Sequence, residues 1–467
     1  MSKNKVLIDN SATQNESGKR KGFTSKIGFI LAAAGSAVGL GNMWRFPYLA
    51  ATYGGGIFVL CYMLLAINIG FILLILEFAI GRKTGKGVVA AFEVLCKKFK
   101  WVGYVCLIVP IIVTPYYSVI GGWVIKYFFS FLIGSEGLVA GAGAVDTTLF
   151  FNGFISNAYE PLIFFLIFAI ITVVIVAFGV QKGIEKMSKI LMPILTVLAV
   201  GLMIYVLCQQ NALEGAKYFL IPDFSKFSFS TVLAAMGQLF YSLSIAMGIM
   251  ITYGSYMKKE DKITSSATQI CIFDTLFAVV AGLIIIPAVF AFSSTPESVL
   301  ATQGPSLMFI QLPQIFNAIP LGRVIGTIFF LLVFFAALTS SISLLEAIIA
   351  SFCENGKMSR IKACLIVSGI VIVLGTLSSL GFGVLDVINI NGKSILDMFD
   401  FAANNILMPI VAILTCVVAS WFIDKNMLPN EIGLIKPASK GYFNVMIRYV
   451  APTCIAIILI SGLFITL

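Results

Sequence analysis

Long apolar segments alternate with short polar connections along the chain. The segments recur from Phe23 almost to Leu467, and each is long enough for a helix that crosses a bilayer, which takes roughly 20 apolar residues. The pattern predicts eleven spans, at 23–50, 57–81, 101–131, 160–178, 187–208, 228–257, 262–293, 320–353, 361–381, 394–423 and 446–466. We therefore expect an all-α polytopic membrane protein with about 11 transmembrane helices.

The charged residues between the segments predict an orientation. Most Lys and Arg residues lie in six patches, which all fall on one side of the membrane if the spans alternate: residues 3–26, 82–100, 182–189, 258–262, 357–362 and 425–448. Positive residues concentrate in cytoplasmic connections. We therefore expect a cytoplasmic tail at 1–22 and an external C-terminus, in a bacterial inner membrane. The longest connections, 132–158 and 294–319, are expected outside.

Composition narrows the class of protein further. Hydrophobic residues make up 59% of the 467 residues and charged residues 11%, and the mean hydropathy is +1.02. These values exclude a soluble multidomain enzyme. The net charge of +10 follows from the patches that orient the chain, so it does not indicate nucleic-acid binding.

Two of the predicted spans carry small and polar residues at mid-membrane depth. The first contains Ala-Gly-Ser-Ala-Val-Gly-Leu-Gly-Asn over residues 34–42, and the sixth contains Tyr-Ser-Leu-Ser-Ile-Ala-Met-Gly over 241–248. Glycine weakens a helix, and irregular backbone survives in a bilayer only where protein or a polar cavity satisfies it. One such cluster is also typical of close helix packing. Two clusters at corresponding places favour broken helices.

The positions of the two breaks predict an internal repeat. They stand in the first spans of two successive five-span blocks, and because five is odd the second block is inverted relative to the first. We expect a first repeat at 23–208, an extracellular connection at 209–227, a second repeat at 228–423, a cytoplasmic loop at 424–445 and an eleventh span at 446–467. This 5+5 inverted-repeat arrangement with broken helices 1 and 6 is typical of secondary transporters, whose site lies at the breaks.

Several motifs match a known family. Residues 35–47 read Gly-Ser-Ala-Val-Gly-Leu-Gly-Asn-Met-Trp-Arg-Phe-Pro, and three glycines occupy 54–56. Residues 237–244 read Gly-Gln-Leu-Phe-Tyr-Ser-Leu-Ser, and residues 336–341 read Ala-Ala-Leu-Thr-Ser-Ser. Over nearly its whole length the chain resembles the neurotransmitter:sodium symporter family, in particular its bacterial amino-acid transporters with eleven spans. The resemblance implies sodium-coupled uptake of an amino acid by alternating access.

For one sodium ion, the resemblance implies a cage of neutral oxygens from two spans. Its members are the carbonyls of Gly35, Val38 and Ala336 and the hydroxyls of Thr339 and Ser340. The last three residues lie three and four positions apart, so they share a helix face. A Thr-Ser-Ser run in a membrane helix also bonds back to its own backbone, which is the alternative interpretation.

For a second sodium ion, the resemblance implies the Ala37 carbonyl, Asn42, Ser242 and Asp274, with the substrate carboxylate as a further ligand. Relatives commonly have Asn at the last of these positions. Animal members typically require chloride near this site, and a built-in carboxylate at Asp274 would supply the same charge. We therefore expect two sodium sites and no chloride requirement. An ionisable residue at this depth is costly and usually functional, although a paired packing Asp is the alternative.

Substrate recognition is predicted from charge balance. Unwound backbone near Gly39 and Gly41 exposes amide groups, and a helix N-terminus favours an anion. Family members that carry amines without a carboxylate have Asp at the position of Gly39. We therefore expect a substrate that brings its own carboxylate, an α-amino acid whose ammonium group bonds carbonyls around Ala37 and the break in the sixth span.

The resemblance also implies a substrate pocket. Its members are Ala37, Gly39, Gly41, Val113, Tyr117, Tyr241, Ser242, Ser244, Ala246, Met247, Ser340, Ser343 and Leu344. Tyr117 would bond the carboxylate through its hydroxyl group, and Tyr241 would close over the substrate from outside. Met247 replaces a frequent Phe, and its flexible thioether adapts to bulky partners. A large hydrophobic or aromatic amino acid is the expected substrate, and ordinary packing is the alternative reading of these side chains.

The family pattern places gates on both sides. Arg45 and Asp400 would form the extracellular pair, with Asp397 one turn away, and Arg20 with Glu354 would form the inner pair. Phe23 stands where relatives usually have Trp.

Three charged residues, one glycine and one proline complete the expectations. Gly183 and Pro193 resemble the family's Gly-x9-Pro motif, at which unwinding would admit water to a sodium site. We expect structural roles for Glu77 and Glu346 as a polar pair within the bundle, and for Lys126 at the outer interface.

Three rival functions are weighed against symport. A channel does not fit two occluding half-helices and charged gates. A membrane enzyme is disfavoured because the chain contains no histidine and its Ser and Thr residues lack an obvious partnered base. An amino-acid-sensing receptor on the same scaffold would keep the binding site and lose transport, and the sequence leaves it open. No nucleic-acid partner is expected.

Overall fold

In the computed structural model, the chain is a bundle of helices. The structure describes residues 22–139, 146–293, 295–300, 305–356, 358–390 and 392–465, so the predicted tail 1–22 lies almost wholly outside the described residues. Within these ranges the extended pairing is limited to two isolated bridges, Gly55 with Pro222 and Ile390 with Lys393. The predicted all-α architecture is confirmed.

Nine helices of the described ranges are long and apolar enough to span a membrane, and a bent helix pair brings the total to ten. We number the spans in chain order. Span one is the pair Lys26–Ala37 and Gly41–Thr52, which meet at 50°. Spans two to five are Gly56–Thr84, Lys97–Ile133, Glu160–Ala177 and Val180–Leu207, and spans seven to eleven are Ile263–Phe292, Gly322–Glu354, Arg360–Leu380, Ile395–Phe422 and Pro437–Gly462.

Span six accounts for the difference from the eleven predicted spans. It consists of two short helices, Phe229–Ser242 and Ile249–Ser255, and neither is long enough to cross a bilayer. The backbone between them takes left-handed conformations, with φ of 52° at Ser244, 64° at Ala246 and 70° at Gly248. Such values are uncommon for residues with a Cβ. The count of eleven therefore requires this broken pair to be taken as one span.

Several connections that the sequence predicts as loops contain helices. These are Val88–Leu95, Thr147–Ser156, Ala212–Leu220, Pro296–Leu300, Leu307–Gln311, Leu312–Ala318 and Met427–Ile432. The helix of span eleven begins at Pro437, within the connection predicted at 424–445. Its first turns contain Lys440 and a glycine, so their polar composition hides them from a hydropathy pattern.

The two broken spans lie in the middle of the bundle. Span one packs against spans five, seven and eight, and the second half of span six packs against span two. Residues of the first break are almost completely buried, including Val38, Leu40 and Asn42. The irregular backbone is therefore surrounded by protein rather than lipid, as a bilayer requires.

Candidate substrate and sodium sites

The breaks of spans one and six meet through a hydroxyl network. The Ser244 hydroxyl donates to the Ser36 carbonyl at 2.9 Å, and the Ser36 hydroxyl donates to the Ser244 hydroxyl oxygen at 3.1 Å. The Ser340 hydroxyl of span eight also donates to the Ser36 carbonyl, at 3.0 Å. The hydroxyl groups thus donate hydrogen bonds to a backbone carbonyl at the break, where the regular helical bond is missing. The three spans therefore share one polar centre.

The five oxygens predicted for one sodium ion form two contacting groups, one of which shares Ser340 with this network. The Ser340 hydroxyl lies 3.3 Å from the Gly35 carbonyl and 3.5 Å from the Val38 carbonyl. The Thr339 hydroxyl lies 3.0 Å from the Ala336 carbonyl and 3.1 Å from the Phe335 carbonyl. Thr339 thus bonds to the backbone of its own helix, which is the alternative to a sodium-binding role. An ion would replace these hydrogen bonds with direct contacts to the same oxygens.

A carboxylate forms the centre of a second polar cluster. Asp274 of span seven is completely buried. Its Oδ1 accepts from Asn42 Nδ2 and from the Ser242 hydroxyl, each at 2.8 Å, and its Oδ2 accepts from the Tyr62 hydroxyl at 2.9 Å. Three predicted side chains therefore meet. Tyr62 is absent from the prediction, because nothing in the apolar pattern of span two distinguishes it from a packing residue.

A small cavity borders the hydroxyl network, and Gly41 in its wall directly precedes Asn42 of the carboxylate cluster. Its volume is about 20 Å³, and its walls contain Ser36, Ala37, Gly39, Leu40, Gly41, Val113, Tyr117, Tyr241, Ser244, Met247, Ser340 and Leu344. The space holds little more than one water-sized molecule, so a side chain enters only if the walls move. Tyr117 holds the first break, because its hydroxyl oxygen accepts from the Leu40 amide at 3.2 Å.

The cavity contains most, but not all, of the side chains predicted for the substrate. Ser242 points to the carboxylate cluster, and Ser343 accepts from the Tyr253 hydroxyl at 2.8 Å, so neither lines the cavity. Ala246 does not line it either, and its amide bonds elsewhere. The cavity adds Ser36 and Leu40, which sequence reasoning missed although both lie inside the motif at 35–47.

Two glycines allow the walls to approach each other. A Cβ at Gly39 would lie 2.5 Å from the Ser340 hydroxyl oxygen and 2.8 Å from the Tyr117 hydroxyl oxygen, and a Cβ at Gly41 would lie 2.5 Å from the ring of Tyr241. These separations are too short for a carbon atom. Glycine at these positions therefore lets the backbone of span one reach the cavity.

The predicted outer gate residues face each other across a second cavity. Arg45, Asp397 and Asp400 line a space of about 110 Å³ outside the first one, and Tyr241 lines both. Among the described residues no ion pair joins Arg45 to Asp400. The Arg45 guanidinium lies 5.3 Å from the Tyr241 ring centre, and Asp400 accepts from Asn404 at 2.6 Å. Tyr241 therefore separates the two cavities.

The predicted inner pair is described on one side only, because Arg20 lies outside the described residues. Glu354 accepts from the Gly87 amide at 2.7 Å. Phe23 is buried among the rings of Phe29, Tyr253 and Tyr256, with centroid distances of 5.5 to 6.2 Å. A phenylalanine therefore fills this position by packing alone.

The predicted pairing of the buried acids is wrong, because each has a different partner. Glu77 Oε1 accepts from the Ala246 amide at 2.7 Å and so satisfies the break in span six. Glu346 forms an ion pair with Arg360 and accepts from the Tyr256 hydroxyl at 2.7 Å. Glu77 therefore bonds across the bundle to span six, and Glu346 joins span eight to the start of span nine.

The predicted role of Lys126 is refined by its contacts. It forms an ion pair with Glu160 and lies within 6 Å of the ring centres of Phe150, Phe154 and Phe164. The side chain therefore joins span three to span four and to the helix Thr147–Ser156.

A carboxylate that the sequence did not single out fastens span one to span five. Glu185 accepts from the Thr24 amide at 2.7 Å, from the Ser25 hydroxyl at 3.1 Å and from Lys189 at 2.7 Å. It ends a π-helical segment, Val180–Glu185, which contains Gly183. Pro193 lies farther along the same span. The predicted Gly-x9-Pro region therefore begins with irregular helix bound to the start of span one.

Two broken helices around buried oxygen clusters define a secondary transporter. Residues 20–135 and 155–466 match the sequence model of the Sodium:neurotransmitter symporter family. The chain belongs to this family. It is a multi-pass membrane protein and a sodium-coupled transporter, and the family consists of symporters rather than enzymes.

Individual relatives cover nearly the whole chain. An uncharacterized sodium-dependent transporter of Bacillus subtilis is 35% identical over 444 residues, which are 94% of this chain and 97% of the relative. Another, from Haemophilus influenzae, is 34% identical over 458 residues, 96% of this chain and 99% of the relative. The crystal structure of MhsT in complex with L-phenylalanine is similar with a TM-score of 0.85 and 38% identity, covering 95% of this chain and all of MhsT.

Proposed function

We propose that this protein imports hydrophobic or aromatic L-amino acids together with sodium ions, by alternating access and without chloride. The observation that carries the proposal is that one stretch of span one connects the cavity wall to both oxygen clusters. Residues 35–42 of span one contribute to both clusters and to the cavity wall. A ligand bound in the cavity or in either cluster therefore affects the geometry of the other two. Such a shared segment is the physical requirement for coupled binding.

Two sodium ions fit the donor chemistry. Gly35, Val38, Ala336, Thr339 and Ser340 offer neutral oxygens, and Ala37, Asn42, Ser242 and Asp274 offer a carbonyl, an amide, a hydroxyl and a carboxylate. Hard cations prefer oxygen ligands of these kinds. In the second set, the substrate carboxylate would complete the shell. Binding of the substrate would then depend on the ion, and binding of the ion on the substrate.

The substrate carboxylate would lie near Gly39 and Gly41. The Tyr117 hydroxyl, which accepts from the Leu40 amide, can donate its own proton to a carboxylate oxygen. Since no side-chain charge occupies the position of Gly39, the substrate supplies the anion. An amine without a carboxylate would leave these donors unpaired in a buried place, which is costly.

The rest of the cavity wall is apolar. Val113, Met247 and Leu344 face it together with the rings of Tyr117 and Tyr241, and such a lining favours a hydrophobic side chain. MhsT, to which the chain is similar, was solved with L-phenylalanine. The cavity of about 20 Å³ is far smaller than an aromatic side chain, so we infer that Met247 and Tyr241 shift when substrate binds.

Chloride independence rests on Asp274. Its buried carboxylate already places a negative charge beside Asn42 and Ser242. A sodium ion in that place gains a fixed counter-charge, and an external anion is then unnecessary.

The orientation and the repeat belong to the proposal as well. The basic patches support an inner membrane location with the N-terminus in the cytoplasm and the C-terminus outside. The breaks in spans one and six support inverted repeats at 23–208 and 228–423. Arg45 with Asp400, and Arg20 with Glu354, would close the two ends in turn.

Uptake into proteoliposomes tests the proposal. Labelled tyrosine, tryptophan, phenylalanine and leucine are supplied with and without an inward sodium gradient, and the assay is repeated with gluconate in place of chloride. We expect sodium-driven accumulation of at least one of these amino acids, unchanged by the anion. Sodium-dependent binding without accumulation would instead indicate a sensor. Non-saturable flux would indicate a channel, and absence of binding would refute the carboxylate pocket.

A further inference from the structure

Arg448 in span eleven differs from Arg82 and Arg360 in its partners. Arg82 and Arg360 form ion pairs with Glu431 and Glu346. Among the described residues, Arg448 forms no ion pair and no hydrogen bond, and its Nε atom is buried without a partner. A guanidinium group in a membrane-spanning segment is costly unless an anion or water accompanies it. An anion from outside the described bundle can therefore pair with this guanidinium.

Two aromatic side chains hold this guanidinium at the lipid-facing surface. Its central carbon lies 3.8 Å from the ring centre of Trp421 and 5.6 Å from that of Tyr449. The rings are 52% and 53% exposed and meet nearly at right angles, with centroids 6.2 Å apart. Because the chain spans a membrane here, these exposed faces contact lipid. The Nη atoms of Arg448 are not among the buried unpartnered atoms, so they remain accessible beside the rings.

The site lies where the bilayer core meets the headgroups. Trp421 is one residue from the end of span ten at Phe422, and Trp and Tyr concentrate at this level of a membrane. Arg448 lies inside span eleven, but side chains of a helix tilt toward its N-terminus. Its long side chain therefore reaches the same boundary, as arginines in membrane helices commonly do. Both residues lie in π-helical segments, Val418–Phe422 and Met446–Val450, which contact each other.

We propose that Arg448, Trp421 and Tyr449 form a binding site for one anionic phospholipid. The guanidinium donates two parallel hydrogen bonds to the lipid phosphate, a geometry that arginine matches better than lysine. The exposed ring faces pack against the glycerol and the first part of the acyl chains. Zwitterionic lipids bind more weakly, because their headgroup cation lies near the same guanidinium. Lys425, which directly follows span ten, makes this side of the membrane attractive to anionic lipids.

The proposal does not depend on which amino acid is transported. A purely structural role, in which the stacked rings and Arg448 only join spans ten and eleven, predicts no lipid preference. The two roles are therefore separable by a binding measurement.

Native mass spectrometry of the full-length protein tests the site. Detergent-purified protein is mixed with equal amounts of phosphatidylglycerol and phosphatidylcholine of identical acyl chains. We expect the wild type to retain one phosphatidylglycerol with a preference of about tenfold, the effect of charge-assisted hydrogen bonds. Arg448→Gln should bind the two lipids equally. Lys436→Gln removes one positive charge from the exposed connection on the same side and should keep the wild-type preference.

Two further variants test the contributions of the aromatic ring and of the guanidinium group. Trp421→Leu keeps the charge but removes the platform, and should lower the preference. If Arg448→Gln does not fold, Arg448→Lys replaces it. Its preference for phosphatidylglycerol should be weaker than that of the wild type but still measurable. An equal preference in wild type and Arg448→Gln would overturn the proposal, as would an equal fall in Lys436→Gln. Displacement of the lipid by inorganic phosphate would also overturn it, because the site would then bind phosphate rather than lipid.

Discussion

Replacement of Asp274 by asparagine removes the buried charge with little change in shape. The carboxylate accepts hydrogen bonds from Asn42, Ser242 and Tyr62. In Asp274→Asn the amide oxygen can still accept from Asn42, and the new NH₂ group can donate to either hydroxyl, because a hydroxyl group also accepts. The variant should therefore fold, and its effect should report the charge rather than a rearranged bundle.

The size of the effect follows from Coulomb's law. Two unit charges about 4 Å apart in a medium with an effective dielectric constant of about 20 attract each other by about 4 kcal/mol. At about 1.4 kcal/mol per tenfold change, loss of the charge would weaken sodium binding nearly a thousandfold. The asparagine oxygen remains a ligand, so we expect the sodium concentration for half-maximal uptake to rise by about a hundredfold or more.

The assay is sodium-dependent uptake in proteoliposomes, with chloride or gluconate as the anion. We expect chloride to restore part of the sodium affinity of Asp274→Asn, because a diffusible anion can replace the missing charge. The matched control is Asp223→Asn, the same chemical change at an exposed position, which should leave uptake unaltered. If Asp274→Asn keeps the wild-type sodium affinity and remains indifferent to chloride, the assigned role of this carboxylate is wrong.

Three further substitutions test a hydrogen bond to Asp274, the space beside Gly39 and the contacts of Glu185. Tyr62→Phe removes one hydrogen bond to the buried carboxylate and should lower stability by about 1.5 to 3 kcal/mol, measured as a fall in thermal unfolding temperature in detergent. Gly39→Ala places a carbon 2.5 Å from a hydroxyl oxygen of span eight and should abolish substrate binding, measured by scintillation proximity. Glu185→Gln weakens the contacts between the start of span one and span five, and should accelerate hydrogen–deuterium exchange over residues 22–37.

Each of these variants has a control. Gly201→Ala adds a carbon with no atom within 4 Å, so it should bind substrate normally. Lys186→Gln changes an exposed residue next to Glu185 and should exchange like wild type. Unchanged unfolding of Tyr62→Phe, normal binding by Gly39→Ala, or unaltered exchange in Glu185→Gln would each contradict the contact from which that prediction starts.

The sequence by itself determined the transporter architecture. Apolar length decides whether a helix can cross a bilayer, and glycine and serine within such a helix weaken it locally, so both the spans and the two breaks can be read from residue order. Spans and breaks depend on local composition. The sodium oxygens proposed in the motif at residues 35–47 and in the Thr-Ser-Ser run of span eight are instead implied by the family resemblance.

Tertiary structure decided which distant groups complete the site. Tyr62 reaches Asp274, Glu77 satisfies the Ala246 amide, and Glu185 holds the start of span one. Each contact joins residues more than a hundred positions apart, and no periodicity within a span distinguishes them from packing residues. A buried donor or acceptor must find a partner somewhere, but only the packing of the helices determines which partner lies within reach.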